Sequence, residues 1–105
     1  MSKKTFDNKE QWLGFLKTAR NERDNGADGV GLFGSRSRGD HKPGESDVDV
    51  FVEKNVHQMG EYTGHDGQNI QVVRAPGKIT DESANGKALQ AMKDETRWVW
   101  RRKIE

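Results

Sequence analysis

With no cysteine anywhere, the chain can form neither a disulfide nor a thiolate metal site, which suits a reducing compartment. It also lacks any apolar run near bilayer length and any secretory apolar region, so the expected setting is cytoplasmic and away from membranes. Charge of one sign is missing too. Lys and Arg number 18 against 17 for Asp and Glu, so no global field draws the chain to nucleic acid, and local clusters must decide that question. His41, His57 and His65 lack the i, i+4 spacing of a zinc helix and read as loop histidines. Hydrophobic residues make up only 30 % of 105, enough for one modest core. A single domain over residues 1–105 is therefore expected, and domains of about 60 to 150 residues bury roughly 60 to 70 % of their unfolded surface. There are no internal repeats and no low-complexity segments.

What is present concentrates between Gly31 and Val52, in GLFGSRSRGDHKPGESDVDVFV. Strand residues i and i+2 share a face, so Asp47 and Asp49 point together, about 6.6 Å apart along the chain, while Val48, Val50 and Val52 face the other way. Two ionised carboxylates brought to about 4 Å would repel by roughly 4 kcal/mol at an effective dielectric near 20. Something cationic normally offsets that cost. Magnesium fits, because it takes one or two carboxylates together with phosphate oxygens and water. Gly34 and Ser35 supply the complementary half: glycine lets a ligand approach the backbone, and exposed N–H groups with a serine hydroxyl bind phosphate oxygens. Arg36 and Arg38 add positive charge beside them. Phosphoryl or nucleotidyl transfer is the implied reaction class.

GSRSRGD followed by SDVDVFVE resembles the signature of the minimal nucleotidyltransferases, within the DNA polymerase beta superfamily. The resemblance implies that Gly34 and Ser35 contact nucleotide phosphates, with Arg36 or Arg38 neutralising charge, and that Asp47 and Asp49 bind Mg2+ or Mn2+. It implies an enzyme that moves a nucleoside monophosphate from an NTP, ATP first, to a hydroxyl on a protein, a nucleic acid or a small molecule, with Asp47, Asp49 and Ser35 as the catalytic set. Stand-alone minimal members often work with a separate helical partner protein, which some of them adenylylate. One departure stands out. A third acid usually lies on a later strand, and the segment Asn69–Ile70–Gln71–Val72–Val73 offers Gln71 there. A general base is typically worth 10² to 10⁴-fold, so its loss would slow transfer without abolishing metal and nucleotide binding. Three readings stay open: the acceptor is easily deprotonated or the metal suffices, Asp66 or Glu61 substitutes, or the domain is a catalytically weak or inactive regulator that binds nucleotide or a partner.

Around the motif, a capping-box-like start at Asp7 and the spacing of Trp12, Phe15, Leu16 and Ala19 predict a helix from about Asp7 to Asn25. Strands are expected at Val30–Phe33 and Asp47–Glu53, forming a hairpin. Glu61–Thr63 and Asn69–Arg74 would pair across a Gly-His-Asp-Gly turn. Leu89, Met92, Thr96, Val99 and Trp100 fit one stripe of a last helix from about Ser83 to Lys103, whose basic, tryptophan-rich end leaves nucleic-acid contact as a further alternative. The expected class is α+β: a small mixed, mostly antiparallel sheet with flanking helices, a nucleotidyltransferase fold. The site would lie at one edge, with two helices covering the opposite face.

Overall fold

The computed structural model describes residues 5–42, 44, 45, 47–54, 60–63 and 70–102. Helix α1 spans Lys9–Asp24. Its N-cap is Asn8 rather than Asp7: Asn8 Oδ1 accepts from the Gln11 N–H at 2.8 Å, and Gln11 Oε1 accepts from the Asp7 N–H at 2.8 Å. The expected capping arrangement is thus shifted by one residue, and the Asp7 carboxylate is left for other work. Phe15 is buried, Leu16 and Ala19 are partly so, and all three pack on the sheet; Trp12, expected on the same stripe, is exposed.

Among the described residues the sheet has five strands: β1 (Gly29–Phe33), β2 (Val48–Glu53), β3 (Gly60–Thr63), β4 (Ile70–Ala75) and β5 (Arg97–Arg101). Their order across the sheet is β3-β4-β2-β1-β5. β2 and β4 run parallel and every other pair is antiparallel, which makes the sheet mixed and mostly antiparallel. β3 pairs with β4 as expected, although the Gly64–Gly67 turn proposed between them lies outside the described residues.

Alternation along β2 divides two cores. Val48, Val50 and Val52 join Val30, Leu32, Ile70 and Val72 beneath α1. Phe51, with Phe33, Val73 and Ala75, packs on the other face against Leu89 and Met92 of helix α3 (Ala84–Asp94). The two long helices therefore cover opposite faces rather than sharing one. Burial on both sides is why β2 reads as a nearly continuous apolar run broken only by its acids.

The last helix is shorter than its pattern predicted. α3 stops at Asp94, and Arg97–Arg101 forms β5 against β1. Leu89 and Met92 suit a helix, but Arg-Trp-Val-Trp-Arg alternates with period two and carries aromatic and β-branched residues that favour a pleated surface. Val30 pairs with Trp100 and Gly31 with Trp98, so the register slips by one residue at Val99. That bulge sends tryptophans two apart in sequence to opposite faces: Trp100 packs on the α1 core and Trp98 on the α3 core. Gly29 and Gly31 make room, since a Cβ at either would collide with Trp98 or with the Thr96–Arg97 segment. Two basic residues at this end of the chain are engaged within the fold. Arg101 lies over the Trp98 ring at 4.3 Å and pairs with the buried Glu53 carboxylate at 3.0 Å, and Arg102 pairs with Asp28 at 3.5 Å.

Candidate active site

β1 ends at Phe33, which pairs in register with Asp49. Gly34 follows at φ 74°, ψ −155°, and the chain turns at once into a single helical turn, α2 (Ser35–Arg38), closed by Gly39. A Cβ built on Gly34 would fall on Asp49 Oδ2, closer than real Cβ contacts come. The Gly-Ser corner and the second acid therefore touch. Asp47 lies one residue before β2, half-buried like Asp49 and on the same face by the alternation that buries Val48 between them. That face is the one carrying Phe51 and α3. β2 is the middle strand of five, so the acids sit at the end of the sheet's centre and not at an edge strand.

Gln71 stands where the family resemblance leads one to expect a third acid. In the parallel pair β2/β4 it stands opposite Asp49, half-exposed, on the neighbour away from β1. Glu61 pairs with Val73 and so lies further along the sheet from Asp49, while Asp66 is outside the described residues. Among the described residues no group of three or more His, Cys, Asp or Glu converges as a metal site. The acidic pair alone is a donor set suited to magnesium, which completes its shell with phosphate and water oxygens.

The two arginines divide. Arg38 is exposed beside the corner, with its Nε donating to Asp40 at 3.2 Å and its Nη1 to Glu95 at 3.2 Å. Arg36, expected at the phosphates, is instead a strut: its side chain is 0 % exposed and its guanidinium donates to both Asp7 carboxylate oxygens at 3.1 and 3.0 Å. It also donates to the carbonyls of Thr5 and Asp47 at 2.8 and 3.2 Å. These contacts anchor the entry to α1 and the start of β2 to α2. The hydrogen bonds from Arg36 hold the Asp7 carboxyl below the usual carboxylate range, and the Gly44 N–H adds to them against the cost of burial.

Sequence reasoning missed Glu95. It caps the C-terminal end of α3, and its Oε1 accepts from the Gly34 N–H at 2.7 Å. An acid at that helix end opposes the macrodipole, which is the one local sign that it has another task. A groove of about 210 Å³ lined by Leu16, Ala19, Arg20, Arg23, Val30 and Trp100 lies on the α1 face, across the sheet from the acids.

A model of the nucleotidyltransferase domain family matches residues 15–97 of this chain. The match runs from inside α1 to the first residue of β5 and so spans Gly34–Gly39 and Asp47–Asp49. The chain belongs to the nucleotidyltransferase domain family. No curated protein and no solved structure matches it. No helix among the described residues is long and apolar enough to cross a membrane.

Proposed function

We propose that this protein transfers a nucleoside monophosphate from an NTP, with ATP as the first choice, to a hydroxyl acceptor. The observation that supports this reading is the meeting of Asp49 with Gly34 across the β1/β2 pair, with the acids and the Gly-Ser corner at one strand end. Gly34 and Ser35 bind the β and γ phosphates through backbone N–H and hydroxyl donors, and exposed Arg38 neutralises their charge. Asp47 and Asp49 hold a divalent ion, magnesium or manganese, which when bound polarises phosphate oxygens and offsets the repulsion of the two carboxylates. The acceptor oxygen forms a bond to the α phosphorus, the α–β anhydride bond breaks, and pyrophosphate leaves with its electron pair. Gln71 cannot take the hydroxyl proton, so that proton passes to solvent, and an acceptor that ionises readily is favoured.

The test is incorporation of α-labelled NTP into candidate acceptors, a helical partner protein among them, in the presence of magnesium. The natural chain should label an acceptor, and Asp47→Ala and Asp49→Ala should not. Binding of nucleotide with no incorporation into any acceptor would replace transfer with a regulatory role. Label that persists in both variants would refute the site.

A further inference from the structure

Two of the donors assigned to phosphate already hold an anion. The Gly34 N–H donates to Glu95 Oε1 at 2.7 Å, and Arg38 Nη1 donates to the two oxygens of the same carboxylate at 3.4 and 3.2 Å. A carboxylate presents two charged acceptor oxygens, so it satisfies an N–H and a guanidinium much as a phosphate would. Glu95 reaches this place from a position 61 residues away in the chain.

Two other roles for Glu95 can be separated by geometry. It does not replace the third acid, because β4 with Gln71 flanks Asp49 on one side and β1 with Gly34 on the other, and Glu95 stands on the Gly34 side. Nor is its carboxylate needed to latch α2 onto α3. The Ser37 hydroxyl donates to the Glu95 backbone carbonyl at 3.0 Å, a tie that any residue at this position would keep.

We propose that the Glu95 carboxylate is an internal competitor that occupies the Gly34 N–H and Arg38 in the free protein and yields them when a nucleotide's polyphosphate enters. The proposal rests on the function given above. Displacement is feasible because the Arg38 and Glu95 side chains are 51 % and 34 % exposed, so the released carboxylate meets water at once. A site closed by its own side chain binds with an affinity reduced by the open fraction. One charge-assisted hydrogen bond plus one exposed ion pair corresponds to roughly a tenfold effect on affinity. Such a competitor also screens ligands: a neutral or singly charged group displaces it poorly, and a triphosphate displaces it well.

The experiment measures dissociation constants by calorimetry for each of the four common NTPs, and for inorganic tripolyphosphate, with magnesium. It compares the natural chain with Glu95→Gln and Glu95→Ala. Glu95→Ala should bind NTP and tripolyphosphate about tenfold more tightly than the natural chain, and Glu95→Gln, whose amide oxygen can still accept from the Gly34 N–H but which carries no charge, should bind them more tightly by a smaller factor. Glu95→Gln keeps the side chain's size and decides the matter if the alanine variant folds poorly. Unchanged or weaker binding by Glu95→Gln, with the natural chain binding NTP, overturns the competitor and leaves the transferase reading intact. Absence of nucleotide binding in the natural chain and in both variants overturns the two readings together.

Discussion

Replacing Gly34 with alanine separates backbone strain from damage to the acids. Gly34 stands at φ 74°, ψ −155°, a region open essentially to glycine, where a residue with a Cβ is strained by about 1–3 kcal/mol. Its new methyl would also occupy the place of Asp49 Oδ2, so the carboxylate must move or the corner must open. Gly39 provides the control. It sits at φ 87°, ψ 8°, and a Cβ there meets nothing within 4 Å, so Gly39→Ala costs only the left-handed conformation, roughly 1–2 kcal/mol. Melting temperature falls by about 4–5 °C per kcal/mol for a domain of this size, so the two variants should lose overlapping amounts of stability. Function should separate them. A misplacement near 1 Å can cost on the order of 10²-fold in rate, so Gly34→Ala should lose about that much transfer while Gly39→Ala stays within about twofold, assayed below both melting transitions. Manganese binding, followed by electron paramagnetic resonance, should weaken in Gly34→Ala alone. If both variants lost transfer equally, or if Gly34→Ala bound manganese as the natural chain does, the contact between corner and acid would not be what the site depends on.

Asp7→Asn strands the buried Arg36 guanidinium and should cost about 3–5 kcal/mol in urea unfolding at pH 7. Because the folded carboxyl titrates below the ordinary aspartate value of 3.8, the stabilisation by Asp7 is complete above that pH and fades as pH falls through the depressed value; the gap between natural chain and variant should therefore close in acid. Gln71→Glu places a third carboxylate opposite Asp49, and a base in that position should raise the transfer rate by about 10²-fold or more, with a new acidic limb in the pH–rate profile. An unchanged rate with unchanged nucleotide affinity would mean that this position does not face the acceptor.

Much of the architecture was legible because it rests on local periodicity. Alternation of acids and valines from Asp47 to Val52 gave a strand, its facing and its apolar side, and the Gly34–Ser35 corner marked where its partner ends. The nucleotidyltransferase motif extended that reading to the sheet. Where the pattern failed, two periodicities overlapped: Leu89, Met92, Thr96, Val99 and Trp100 fit a helical stripe, yet Trp98 and Trp100 serve different cores only because a bulge at Val99 breaks the strand's own alternation. The placement of α1 and α3 on opposite faces was hidden for a related reason. Each helix shows an apolar stripe, but which side of the sheet receives it follows from strand order, and the sequence pattern of β5 suits a helix as well. Glu95 offered only its place at a helix C-terminus as a sign, since its partners are fixed by tertiary packing and no local spacing encodes them.

Arg36 and Arg38 show how one helical turn sorts charge. The sequence sets both arginines beside the Gly34–Ser35 corner without saying which of them faces it. One turn of helix rotates about 100° per residue, so positions two apart point in nearly opposite directions. Arg36 accordingly enters the interior with Asp7, and Arg38 emerges beside Gly34. Their removal should divide in the same way. Arg36→Ala empties a buried site that holds together Thr5, Asp7 and Asp47, and it should destabilise the fold by about 3 kcal/mol or more. Arg38→Ala should leave the denaturation midpoint unchanged and weaken binding of NTP and of tripolyphosphate, more steeply at low salt than at high. Equal loss of stability in the two variants, or nucleotide affinity indifferent to Arg38, would mean that α2 does not sort its charges as this helical turn requires.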